Sequence, residues 1–223
     1  MRRTDSQKDQ QAEREALRQR IDAELAEMGP IPLSSWMMAE PPAAAALEDG
    51  RVPATEVELD AALGALIWRA RDQLQDSHSY HVIGPDGALV AVLMPGTGDV
   101  AARQLVGQDE LDLLELHRRP VGAGKPPPDY RRTHTHAVLW RFAQFGEHDD
   151  EALPASYRQQ PLRLRQAPPL DRSMVAGRHV KLMRLLHEKS HTFDELQAHT
   201  GLSERQLHRD LAALHLVGSI GPA

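Results

Sequence analysis

The chain has 223 residues, no cysteine and a formal net charge of −6. The length suits one or two domains of ordinary size, and the missing cysteine rules out thiolate nucleophiles and every cysteine-ligated zinc site. The acidic balance argues against indiscriminate coating of nucleic acid while leaving room for a local basic face.

No window approaches the roughly 20 apolar residues that span a bilayer. The N-terminus, MRRTDSQKDQQAERE, has two arginines with no apolar run behind them. The expectation is a cytoplasmic protein without membrane contact. Residues 5–28 are polar and helix-prone, with Leu17, Ile21, Leu25 and Met28 forming one narrow apolar stripe that Gly29-Pro30 ends. Such a stripe serves a short coiled-coil arm or a helix lying on its own domain equally well. Residues 30–54 mix Leu33, Trp36, Met37 and Met38 with Pro41-Pro42 and an alanine run. Residues 1–54 therefore read as an N-terminal helix and linker.

Residues 55–148 read as a small α/β domain with a sensory or dimerisation role. Thr55-Glu56-Val57-Glu58 has the form of a capping box, in which side chain and backbone satisfy each other's orphan groups. It opens a helix to about Gln75, with Val57, Leu59, Leu63, Leu66, Ile67 and Ala70 on its apolar face. The period then changes to two. Residues 80–83 and 88–94 flank Gly84-Pro85-Asp86-Gly87, which predicts a β-hairpin whose second strand is buried and central. Residues 99–106 and 109–118 read as short helices, the second built on Leu111, Leu113, Leu114 and Leu116. A glycine- and proline-rich loop runs from Pro120 to Asp129. Thr135 to Phe145 suits a strand or a helix, and its β-branched and aromatic content favours the strand. Residues 149–172, with Pro154, Pro161, Pro168 and Pro169 beside Arg158, Arg163, Arg165 and Arg172, read as a linker.

Residues 173–223 are predicted to hold three helices. Ser173 or Asp171 caps the first, which runs to about Lys189 with Val175, Val180, Leu182, Met183, Leu185 and Leu186 inward. Thr192-Phe193-Asp194-Glu195 repeats the capping-box form at the second, which Gly201 stops. Ser203 caps the third, Gln206 stands three residues on, Leu207, Leu211 and Leu214 form the buried side, and Gly218 ends it. Two short helices joined through Gly-Leu-Ser make a tight turn, for which glycine supplies a positive φ.

The string Leu196-Gln197-Ala198-His199-Thr200-Gly201-Leu202-Ser203, followed by Leu207-His208-Arg209-Asp210-Leu211, Leu214 and Gly218, resembles the winged helix-turn-helix of bacterial transcription regulators. The Arg-Asp-Leu is most similar to the DeoR-like type. The resemblance covers about 174–220. It implies an α+β chain in which the α/β domain is joined to an all-α C-terminal unit. It also implies a regulator whose third helix, 204–216, enters the major groove of double-stranded DNA. Ser203, Glu204, Arg205, Gln206, His208 and Arg209 would then be the base-reading positions, since arginine pairs bidentately with guanine and glutamine with adenine. A homodimer would double every contact. Gln197 stands where the family has alanine. Ala223 lies three residues after Ile220, which leaves no room for the wing's second strand, so a wingless form is expected.

From 173 to 223 six bases stand against five acids. Phosphate binding needs several cations, so the linker arginines and Arg118, Arg119, Lys125, Arg131 and Arg132 would have to contribute. The competing reading is a non-enzymatic adaptor that meets a protein partner through 55–148 and uses its C-terminal helices for protein contacts. His78-x-x-His81 and His134-x-His136 come nearest to metal-ligand pairs, but no carboxylate pattern completes either, and no metal or cofactor is expected. Gly96-Thr97-Gly98-Asp99 reads as a plain strand-to-helix turn without the lysine of a phosphate-binding loop. No Ser-His-Asp or paired-carboxylate arrangement stands out, and the expectation is that the chain is not an enzyme.

Overall fold

Helix α1, Glu56–Ala70, opens as its capping signal predicts. The Glu58 amide donates to Thr55 Oγ1 at 3.2 Å, and the Thr55 amide donates to the Glu58 carboxylate at 2.7 Å. The computed structural model describes residues 54–104, 106–111, 113–120, 122–146 and 152–223. The helix and stripe expected within 1–53 lie outside them. The described residues belong to one compact unit.

Strands β1 (Tyr80–Ile83) and β2 (Leu89–Met94) form the expected antiparallel hairpin, with Tyr80 opposite Leu93 and Val82 opposite Ala91. The next stretches differ from expectation. Residues 99–102 form strand β3 rather than a helix, and Gly96 to Gly98 turn the chain from strand to strand. Residues 108–110 make one 3₁₀ turn, and 115–118 form strand β4. The leucines at 111, 113, 114 and 116 imitate a helical stripe, but Leu113 is 65% exposed while Leu111, Leu114 and Leu116 pack on the core. Pairing with β1 decides the outcome over local propensity.

Strand β5, Arg131–His134, completes an antiparallel sheet of order β4-β1-β2-β3-β5. As expected, β2 is the central strand, with Val90, Ala91, Val92 and Leu93 all buried. Because β4 and β5 are the two edges, the segment 119–130 spans the sheet's full width. The core groups Leu59, Leu63, Leu66 and Ile67 of α1 with Tyr80, Val82, Ala91, Leu93, Val100 and Ala102 on one face of the sheet. Each such fully buried aliphatic side chain contributes roughly 1.5–3 kcal/mol.

Residues 135–145 form helix α2, not the strand that composition favoured. The helix is buried on two sides. Val138 faces the sheet core, whereas Trp140 and Gln144 face the C-terminal helices, so a single apolar stripe is not visible in the sequence. It crosses α1 closely at Gly64, where an added Cβ would lie 2.5 Å from Phe142 Cβ.

The stretch read as a Pro/Arg linker carries structure of its own. It holds a 3₁₀ turn at Ala155–Arg158, strand β6 at Leu162–Leu164 and another 3₁₀ turn at Arg172–Met174, with Leu153, Tyr157 and Leu162 buried. Helices α3 (Gly177–Glu188), α4 (Phe193–Thr200) and α5 (Glu204–Leu216) follow, then strand β7 (Ile220–Pro222). The C-terminal region is therefore not all-α, because β7 pairs antiparallel with β6, Leu164 opposite Ile220. Ser173 and Asp171 do not cap α3. Instead the Ala176 amide donates to His179 Nδ1 at 3.0 Å.

Candidate nucleic-acid interface

The junction of α4 and α5 follows from local chemistry. The Thr192 hydroxyl accepts from the Glu195 amide at 3.3 Å, and the Glu195 carboxylate accepts from the Thr192 amide at 2.9 Å. Gly201 then takes φ 71°, a left-handed conformation that a Cβ disfavours. Ser203 Oγ accepts from the Gln206 amide at 3.2 Å. The return half of that box is not made, since Gln206 Nε2 donates to Asp210 Oδ1 at 2.8 Å.

The six residues named for base reading divide into three groups. Ser203, Glu204 and Arg205 are exposed at the first turn of α5. Gln206 and Arg209 are half-buried, and Arg209 Nη1 donates to the carbonyl of Gln144, at the end of α2, at 3.3 Å. His208 is 5% exposed and is not presented to a groove, which corrects the expectation for that residue. Glu204 is also engaged, through an ion pair with Arg158, whose guanidinium stands over the Phe193 ring at 5.1 Å. Farther along α5, Ala212 and Ala213 are fully buried, and His215 meets Tyr157 edge to face at 4.8 Å.

Asp210 is the centre of this arrangement and was overlooked as a site residue. It is fully buried. It accepts from His179 Nε2 at 3.0 Å, from Arg178 Nε at 2.9 Å and from Gln144 Nε2 at 3.1 Å, besides Gln206. Since His179 Nδ1 accepts from a backbone amide, its proton sits on Nε2 and points at Asp210. Burial pushes the Asp210 carboxyl up, but the His179 hydrogen bond, with the Arg178 charge and the Gln206 hydrogen bond, outweighs it and holds the group below its ordinary value. Both imidazole nitrogens are committed to protein partners, so the pair ties α2, α3 and α5 together and has no lone pair left to serve as a base. A lone aspartate beside an arginine on a predicted reading helix carries no sequence signal for this role. Gln144 and Arg158 carry none either, because both act across long sequence separations.

Strand β6 meets the α3–α4 turn on its other side. The Leu162 amide donates to the His191 carbonyl at 2.7 Å, and the His191 amide donates back at 3.0 Å. The His191 ring is buried with neither nitrogen hydrogen-bonded, and Glu195 Oε2, at 3.7 Å from Nδ1, is too far for a bond.

The other sequence candidates separate. His81 Nε2 accepts from Arg119 Nε at 2.9 Å, and His78 lies against Arg118. His134 ends β5 whereas His136 lies in α2, so the two share no strand face. Among the described residues, no group of three or more histidine, aspartate or glutamate side chains is placed to hold a metal ion. Of the cations expected to assist DNA binding, Arg131 is tied to Asp60 and Glu56. No helix of the described residues is long and apolar enough to cross a membrane. No protein-family model matches the chain, and neither does any curated protein or solved structure.

Proposed function

We propose that this chain acts by binding other proteins, as a non-enzymatic adaptor, and that its C-terminal helix-turn-helix serves as an internal brace. The observation that carries this reading is the placement of α5. Entry into a major groove requires a recognition helix to offer its outward side. Here that side is open at the first turn and is occupied farther along by the end of α2 and the stretch around Tyr157. The helix-turn-helix element of the reading draws support from the left-handed Gly201 turn. It also draws support from the row formed by His191, β6 and β7, in which β6 supplies β7 with a neighbouring strand. A fold of this type leaves its use open, so the decision rests on the exposed surface.

A second reading retains DNA, and Arg205 favours it. That residue is exposed beside the Ser203 cap at the start of α5, where recognition helices make their base contacts. The contact set then shrinks to Ser203, Glu204 and Arg205. The two readings separate in a selection of duplexes from a random pool at low salt, followed by titration of the enriched sequence at rising salt. The adaptor reading expects no sequence to be enriched and residual affinity to be the same in Arg205→Ala. Enrichment of one sequence, bound in a salt-dependent way and lost in Arg205→Ala, would transfer the conclusion to DNA reading.

A further inference from the structure

Strand β4 ends the sheet on one side, and its outer edge has a definite polarity. The Arg119 amide donates to the Ser79 carbonyl at 2.9 Å, just past the strand. In an antiparallel pair, residues alternate between those bonded to the neighbour and those whose N–H and C=O point away. Counting back from Arg119, residues 117 and 115 turn toward β1, opposite His81 and Ile83. Leu116 and Arg118 therefore aim their N–H and C=O groups at the open edge. Among the described residues no strand lies beyond β4.

We infer that this edge pairs with the same edge of a second copy of the chain, joining two five-stranded sheets across a two-fold axis at His117. The hydrogen-bond phase limits the register to those in which outward residues face each other, and charge selects among them. Leu116 and Arg118 must each face an outward-pointing residue, and the register that also joins opposite charges places Leu116 opposite the partner's Arg118 and His117 opposite the partner's His117 on the axis. The next pair out is Glu115 with the partner's Arg119. That pair brings opposite charges together twice, once on each side of the axis. Glu115 Oε2 meets His117 Nε2 of its own strand at 3.0 Å, but the side chain is 74% exposed and its second oxygen remains for the partner's arginine. Arg119 spends Nε on His81 and Nη2 on the Gly124 carbonyl, and the five N–H groups of a guanidinium leave donors over. Leu113, exposed just ahead of the strand, adds apolar surface at each end of the joint.

The opposite edge shows the contrast. In β5 the outward backbone positions are Arg132 and His134, since the Thr135 amide bonds to the Gly98 carbonyl and the phase alternates from there. Neither residue is acidic, and β5, with Arg131, Arg132, Thr133 and His134, offers its own arginines no opposite charge. Charges of one sign protect an edge from self-association, whereas the mixed signs of β4 complement themselves about a two-fold axis. Two strands of four residues bury a small area, in the range of weak and reversible association below roughly 1,200 Å². The expected dissociation constant is on the order of tens of micromolar. The inference does not depend on the adaptor reading, because a DNA-binding chain would dimerise the same way.

The test is sedimentation velocity on the full chain across a concentration series, with Arg118→Pro and Glu115→Arg as variants. Proline at 118 removes an outward N–H that makes no bond to β1, so the monomer keeps its own ladder. Melting by circular dichroism checks that each variant is folded. The wild type is expected to pass from monomer to dimer, with both variants weakened about tenfold or more. Amide exchange at Leu116 and Arg118 is expected to slow as concentration rises. A chain that stays monomeric up to roughly 500 μM overturns the inference. So does a dimer that Arg118→Pro leaves intact, or one in which those two amides exchange as fast as in the monomer.

Discussion

Replacing Gly64 by alanine sets two effects of opposite sign against each other, and the geometry decides between them. Gly64 lies inside α1, where an alanine favours the helix by about 1 kcal/mol on propensity alone. Its added Cβ would stand 2.5 Å from Phe142 Cβ and 2.7 Å from the Val138 carbonyl oxygen, against 3.4–4 Å for ordinary contact. Neither obstacle is the far end of a flexible side chain, so no change of rotamer relieves the clash. Helix α2 would have to withdraw by about 1 Å, the shortfall from 2.5 to 3.4 Å. It is held from behind by Trp140 against His179 and by Gln144 on Asp210. Overpacking of this kind costs about 1–3 kcal/mol, and the withdrawal also loosens the contacts of Val138 and Phe142. An approach of 2.5 Å to atoms that cannot swing away puts the cost in the upper half of that range, about 2–3 kcal/mol, so the net effect after the propensity gain is a loss of roughly 1–2 kcal/mol. Urea denaturation followed by circular dichroism should show a lower midpoint at an unchanged slope. A Gly64→Ala variant as stable as the wild type, or more so, refutes the close crossing of α1 and α2.

Asp210→Ala leaves the His179 and Gln144 donors facing a void where a carboxylate stood, and each buried donor left unsatisfied costs about 1–3 kcal/mol. Arg178 is partly exposed and adds little to this, and the same denaturation assay measures the loss. Stability should also fall in two steps on acidification. Burial pushes His136, His191 and His215 below ordinary imidazole values. Their contribution is full above the unfolded value of about 6.5 and is lost as the pH drops below it. The depressed Asp210 adds a second loss at lower pH, below the unfolded carboxylate value of about 3.9, as the pH falls through its folded value. Melting temperatures that stay flat from about pH 7 to about pH 5 contradict the first step.

The parts legible in the sequence were those set by neighbours along the chain. The boxes at Thr55 and Thr192, the hairpin around Gly84-Pro85-Asp86-Gly87 and the stop at Gly201 all follow from groups within a few residues of one another. The three C-terminal helices were legible for the same reason. Where burial came from distant segments, the reading differed from the structure. The stretch around Val100 and Ala101 reads as a helix, and becomes a strand because β2 and β5 pair on either side. Helix α2 carries strand-like residues because two different layers cover it. The candidate site fared likewise. Arg205 and Ser203 are where the helical repeat puts them, but no repeat reveals that Arg209 turns to the Gln144 carbonyl or that His208 is enclosed.

By itself, then, the order of residues determined the turns at Gly84–Gly87 and Gly201, the starts of α1, α4 and α5, and which side of each C-terminal helix is apolar. Those outcomes depend on backbone groups satisfied within one turn of the chain, at separations that do not change with the rest of the molecule. Only the folded arrangement decided that α2 stands between the sheet and the last three helices, that β6 reaches β7 across 56 residues of sequence, from Leu164 to Ile220, and that Asp210 binds groups from three helices. Such contacts form when the burial of apolar surface outweighs the entropy of closing long loops. That balance belongs to the packed chain as a whole and leaves no local signature on the residues it joins.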